Sequence, residues 1–268
     1  MKIKNAQSST AAGKQINSRF ESCTIVIPLM NETASLRYVI ETVFKTAQDD
    51  VSEVLIVVCH KTTADSMAEC HALQKQYPGK IKILWQQLPF LGGALREGFA
   101  AAQGSHVIAM YSDAESEPLH VSNLIAAAKK SPAAIISASR WLNRRSFENY
   151  GSKKLFLNFI FQKVFSIMFL TNITDFTFGY RIYPLPILQA IQWRELKHAF
   201  VLESIIKPLR LSVEVKEIPT HWKARSEGES QLRFSTYLRY PLLGLLVRFT
   251  RKKRFLKDAG SLKDILIK

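Results

Sequence analysis

Residues 23–29 read Cys-Thr-Ile-Val-Ile-Pro-Leu and residues 54–59 read Val-Leu-Ile-Val-Val-Cys, two short runs dominated by β-branched apolar side chains. Such runs are buried on both faces, as in a parallel sheet, whereas a half-exposed strand alternates polar with apolar. Between them, Thr33–Ala47 repeats Leu36, Val39, Ile40 and Val43 at helical spacing, so all four share one face. Asn31 stands where a cap for that helix belongs. The alternation continues with a helix over Thr63–Tyr77, a strand over Ile81–Trp85, a helix over Gly93–Ala102 and strands over His106–Tyr111 and Ala134–Ser137. Strand–helix–strand units predict an α/β fold, a mostly parallel sheet flanked by helices. Ligands of such sheets sit beyond the carboxyl ends of the strands. The residues to weigh are therefore Met30-Asn31-Glu32, His60-Lys61-Thr62 and Ser112-Asp113-Ala114-Glu115.

The chain has 268 residues, 47% hydrophobic and 22% charged, which suits one sizeable domain with appendages and excludes a disordered or fibrous chain. Lys and Arg number 37 against 22 Asp and Glu, a net +15 and a pI near 9.8. That excess suits an anionic membrane face, phosphorylated substrates or nucleic acid. Without an RNA-binding motif or interleaved surface aromatics, nucleic acid is not expected. Cys23, Cys59 and Cys70 are too few for a disulfide framework, so a cytoplasmic compartment is expected, with Cys59 read as a buried strand-end residue. Residues 1–21 are polar and aperiodic and read as a flexible lead-in with no secretory signal.

The second half differs in texture. Leu155–Leu170 is apolar almost all round, broken by one stripe of Lys154, Asn158, Gln162 and Ser166. Tyr237–Phe249 is apolar again, and six Lys or Arg residues lie between Arg248 and Lys257. Neither segment is long and uninterrupted enough to span a bilayer. Both read as amphipathic helices lying on an anionic membrane, with packing on the sheet or on another protomer as the alternative. The expected organisation is a lead-in at 1–21, a main domain at 22–235 with an apolar helix inserted at 155–170, and a membrane-associating segment at 236–268.

Five separated motifs carry the chemistry. They are Pro28-Leu29-Met30-Asn31-Glu32; Ala94-Leu95-Arg96-Glu97-Gly98-Phe99 after Gly92-Gly93; Ser112-Asp113-Ala114-Glu115; Asp175 to Arg181; and Arg225-Ser226-Glu227-Gly228-Glu229-Ser230. In this order and spacing the chain resembles family 2 glycosyltransferases, and within them the polyprenol-phosphate sugar synthases of the dolichol-phosphate mannose synthase group. The resemblance covers roughly residues 23–235. It implies a GT-A-type nucleotide-sugar-binding fold and a hexosyltransferase, inverting and metal-dependent. The sugar would move from a GDP-mannose or UDP-hexose donor to a polyprenyl phosphate. The enzyme would sit peripherally at the inner face of the membrane.

Carried over residue by residue, the resemblance places the donor at Pro28, Asn31, Glu32, Arg96 and Asp113. The family's D-A-D-x-Q metal segment falls on Tyr111, Asp113 and Glu115, so Asp113 and Glu115 are the implied ligands of Mg²⁺ or Mn²⁺, with Glu117 offered as a third. Hard carboxylates plus phosphate oxygens suit those ions. Arg140, Lys153, Lys154, Arg225 and Ser230 are implied for the acceptor phosphate, with Asp113, Arg140 and Arg225 as the catalytic set. Asp175, Gly179 and Arg181 would shape the acceptor side, and Glu203 would orient its neighbours. Two departures stand out: Tyr111 replaces a carboxylate, and Cys59-His60-Lys61-Thr62 replaces an acidic nucleoside-binding turn. A polyprenyl phosphate is already anionic at pH 7, so no dedicated base is required; positioning by a metal and arginines is sufficient. The alternatives are a glycosyltransferase acting on a glycan hydroxyl in cell-surface polysaccharide synthesis, and a degenerate non-catalytic subunit.

Overall fold

The computed structural model describes residues 19–143, 146–147, 151–222 and 234–258. The run at Cys23 forms β1 (Cys23–Pro28), which lies parallel between β2 (Val51–Val58) and β4 (His106–Ala109), with β3 (Ile81–Trp85) beyond β2. On the other side, β6 (Arg181–Pro184) runs antiparallel to both β4 and β5 (Ile135–Ser139), and β7 (Val215–Pro219) pairs parallel with β5. The seven-stranded sheet has the order β3-β2-β1-β4-β6-β5-β7. Mostly parallel and covered on both faces, it matches the expected architecture.

Successive side chains of the central strands feed opposite cores, the period of two that a pleated strand imposes. Ile25 and Ile27 of β1 pack with α1 (Ala34–Ala47), α2 (Ala64–Gln76) and α4 (Val121–Lys130), while Val26 faces the opposite layer. That layer is built from α3 (Phe90–Ala101), α6 (Leu185–Ala190), α7 (Ala199–Arg210), α8 (Phe234–Phe249) and Phe165 of α5 (Ser152–Phe169). Gly98 lets α3 seat directly on β1: a Cβ there would stand 2.3 Å from Val26 Cγ1. The buried sequence runs therefore bring the carboxyl ends of β1 and β4 side by side.

Several local expectations shift. The helix expected from Gly93 begins at Phe90, and the strand expected to Tyr111 ends at Ala109. Asn31 is exposed and does not cap α1; Thr33 holds the cap position without a side-chain cap bond. The helix starts at Ala34, which leaves Asn31 two residues before the cap position, and Glu32 folds back to accept the Met30 and Asn31 backbone N–H groups at 3.2 Å each. Cys59 follows β2 and is half-buried rather than buried. Neither β6 nor β7 announces itself in the sequence. The first is four residues long and contains a charge, and the second carries Lys216 and Glu217 on a half-buried strand.

The two apolar helices pack against each other sparingly. α5 buries only Gln162 and Phe165, and α8 buries Leu243 and Val247. A Cβ on Gly244 of α8 would lie 2.8 Å from the Phe165 ring, so glycine sets their close approach. Much of the remaining apolar surface faces outward: Leu157 is 67% and Ile167 74% exposed on α5, and Phe249 is 80% exposed on α8. Among the described residues no helix is long and apolar enough to cross a membrane.

Candidate active site at the strand ends

The turns after β1, β2 and β4 are tied into one floor. Ser112 Oγ donates to the Pro28 carbonyl at 3.1 Å, joining the β4 and β1 turns. Thr62 Oγ donates to the Leu29 carbonyl at 3.0 Å, and the Thr63 N–H reaches Met30 O at 2.9 Å. The replaced segment Cys59–Thr62 thus has a structural job, and His60 and Lys61 are exposed above it.

After β4 the chain turns sharply. Asp113 Oδ1 accepts the Glu115 N–H at 3.1 Å, closing an Asx turn, and Ala114 between them takes a left-handed φ of 54°. Both acidic side chains are part-exposed at the strand end. The Trp222 indole N–H approaches Glu115 Oε2 at 3.4 Å, and Trp222 bridges to Ser116. The segment after β7 therefore closes over this turn. Glu117 does not join the pair: it accepts the Leu119 N–H and the Tyr38 hydroxyl, each at 3.4 Å, at the start of a short 3₁₀ turn. Among the described residues no three His, Cys, Asp or Glu side chains are placed to share one ion.

Tyr111, standing where the resemblance has a carboxylate, fills space instead. A Cβ on Gly179 would lie 2.1 Å from its hydroxyl oxygen, so glycine at 179 makes room for the phenol. Burial pushes the Tyr111 phenol well above its ordinary pKa, so it remains protonated. Arg96 is half-buried on α3 and has no hydrogen-bond or ion-pair partner among the described residues. Its neighbour Glu97 receives the Gln87 and Leu88 N–H groups and so fixes the approach to the helix.

A second cluster lies beside β5 and β6. Arg140, 6% exposed, holds fully buried Asp175 in a two-pronged pair, Nε to Oδ2 at 2.8 Å and Nη2 to Oδ1 at 2.9 Å. Burial would raise the Asp175 pKa, but the charge and hydrogen bonds of Arg140, helped by Arg181, hold it below the usual carboxylate range. Arg140 also lies over the Phe178 ring at 4.7 Å and donates to Thr177 Oγ1 at 3.0 Å. Arg181 is fully buried and spends its guanidinium on Ser137, Ser204 and the carbonyls of Val201 and Phe176, so it braces β6 against β5, α7 and the 174–178 loop and does not open to solvent.

Two further side chains hold the 174–178 loop, and no role for either was drawn from the sequence. Gln162 of α5 accepts the Phe176 N–H at 2.8 Å and donates to Thr177 Oγ1 at 2.9 Å. Its signal was the polar stripe on an otherwise apolar helix; Asn158, one turn earlier, accepts from it. Glu217 of β7 accepts the Thr174 and Asp175 N–H groups at 2.8 and 3.0 Å, and burial raises its pKa despite those bonds. Nothing local in the sequence marks it. Glu203 does orient its neighbours: it is buried, pairs with Lys207 and accepts the Arg194 and Glu195 N–H groups. Lys153 and Lys154 are exposed on the first turn of α5. Lys154 extends the Asn158–Gln162 row at the end away from Asp175, whereas Lys153 is turned about 100° from that row. Arg225 and Ser230 lie outside the described residues.

The open, mostly parallel sheet, with acidic side chains after its fourth strand, is a GT-A glycosyltransferase fold by its family match and its likeness to solved structures. Residues 24–191, more than half the chain, match glycosyl transferase family 2, and the chain belongs to that family: it is a glycosyltransferase. A curated relative, the undecaprenyl-phosphate mannosyltransferase of Micrococcus luteus, is 24% identical over 214 residues, covering 77% of this chain and 86% of the relative. Among solved structures, glucosyl-3-phosphoglycerate synthase of Mycobacterium tuberculosis with Mn²⁺, UDP and phosphoglyceric acid superposes with a TM-score of 0.66 at 16% identity, covering 85% of this chain and 78% of the other. The same enzyme with Mg²⁺ and UDP gives 0.62 at 17% identity, covering 85% and 79%.

Proposed function

We propose that this enzyme moves a hexosyl group from GDP-mannose or a UDP-hexose to a polyprenyl phosphate, with inversion, as a peripheral protein at the inner, cytoplasmic face of the membrane. The observation that carries the reading is the continuity between Arg140 and the lipid-like surface. Arg140 grips Asp175, the Asp175 loop is bonded to Gln162, and Gln162 sits on α5, whose outer face is exposed Phe156, Leu157, Ile160 and Ile167. A buried arginine–carboxylate pair wired to an apolar exposed helix, with Lys153 and Lys154 exposed on the first turn of that helix, suits an acceptor that is a phosphate on a hydrocarbon chain. The Micrococcus relative supports the same acceptor class.

Asp113 and Glu115 suit Mg²⁺ or Mn²⁺. They are two hard oxygen side chains on one turn, and the lack of a third protein ligand among the described residues leaves positions for donor diphosphate oxygens. Such an ion, when bound, neutralises charge on the departing nucleoside diphosphate. Pro28, Asn31 and Glu32 form the donor wall at the β1 end, with Arg96 as a further cation for the donor. Arg140, Lys153 and Lys154, together with Arg225 and Ser230, take the acceptor phosphate. The phosphate oxygen attacks without a general base because it is already ionised.

The test is transfer of labelled UDP- and GDP-sugars into the organic phase by purified protein with polyprenyl phosphate, detergent and Mg²⁺ or Mn²⁺. Lipid-phase label should depend on the ion and fall roughly 100-fold or more in D113A. Donor hydrolysis without lipid label would sink the acceptor and favour a glycan hydroxyl. No donor binding at all would remove the donor assignment as well.

A further inference from the structure

The far end of α8 carries a groove of about 560 Å³, a volume within the range of small-molecule sites. Leu242, Leu245, Leu246 and Phe249 line it as a stripe at i, i+3, i+4 and i+7, and Arg251 and Arg254 complete the wall. All four apolar side chains are half or more exposed or nearly so, at 47–80%. Among the described residues neither Arg251 nor Arg254 has a hydrogen-bond or ion-pair partner for its guanidinium. Their neighbours are committed elsewhere: Arg248 donates to the Met168 carbonyl at 2.9 Å and Lys252 to Ser212 Oγ at 3.1 Å.

We propose that this groove binds one anionic phospholipid, its phosphate on Arg251 and Arg254 and its acyl chains along the leucine stripe. Guanidinium forks match phosphate oxygens, and an exposed apolar stripe beside them matches hydrocarbon. A free phosphate would leave the stripe unused, and a neutral lipid would leave two cations unused.

The groove is not the acceptor site. Ser212, which Lys252 reaches, precedes the start of β7, whereas Pro219 at the other end of β7 pairs with Ser139, next to Arg140. Five residues of strand, roughly 16 Å, separate those ends. The lipid is thus a membrane component held apart from the transfer chemistry, and the proposal depends on neither the sugar nor the acceptor.

The test is titration of the full-length chain with dihexanoyl-phosphatidylglycerol below its micellar concentration, at about 0.15 M salt so that diffuse surface attraction is screened. Saturable binding of one lipid per chain is expected. R251Q/R254Q should weaken it about tenfold or more. K253Q/K257Q removes the same two charges outside the groove wall and should change it less than about twofold. Circular dichroism checks that both variants are folded. Equal losses in the two double variants, equal binding of dihexanoyl-phosphatidylcholine, or equal binding of inorganic phosphate would each overturn the proposal. None of these readouts involves a donor sugar, so they are independent of the transfer assay.

Discussion

Helices α1 and α5 reverse the usual relation between greasiness and burial. α1 has an ordinary mixed composition and buries Leu36, Val39, Ile40, Val43 and Phe44 against the sheet. α5, apolar almost all round, buries only Gln162 and Phe165. In α1 the apolar residues hold the fold. In α5 Gln162 holds the loop of Asp175 and Phe165 enters the core, while most of the other apolar residues are presented outward. Extended exposed apolar surface of this kind marks an interaction face.

Mutations can break or sharpen that contrast. The largest loss of stability is expected from D175A, which leaves the buried Arg140 guanidinium without its partner and should cost about 3–5 kcal/mol in denaturant unfolding. The wild-type contribution is pH-dependent in a definite sense. Because the folded carboxyl is held below its ordinary value, the unfolded state binds the proton more readily. Stability from this pair is therefore full above about pH 4 and fades as pH falls through the folded value. A denaturation midpoint that is flat across that acid window would contradict the ion pair.

L36A comes next, with a cavity under α1 worth about 2–5 kcal/mol. The corresponding change on the other helix, I167S or L157S, should alter stability by no more than about 0.5 kcal/mol. Its effect should instead fall on co-sedimentation with anionic vesicles, weakened about tenfold per residue. Should I167S unfold the protein as L36A does, α5 belongs to the core and the contrast fails.

Where burial repeats along the chain, the sequence was legible. The runs at Cys23 and Val54, the α1 face and the acidic turn after β4 could be read locally, because period and strand-end position follow from the chain's own geometry. The cap at Asn31 could not, since α1 begins at Ala34 and puts Thr33 at the cap position. Glu117 looked like a third ligand, yet its neighbours Leu119 and Tyr38 occupy it.

The sequence by itself determined an α/β sheet with acidic side chains at the end of its fourth strand, because short-range pattern decides strand, helix and turn. Only the tertiary structure decided that Arg140 grips Asp175, that Glu217 and Gln162 brace the same loop from 43 and 15 residues away, and that the apolar sides of α5 and α8 face outward. Those outcomes depend on which segments meet across the sheet, and contacts between residues far apart in the chain leave no periodic trace in it.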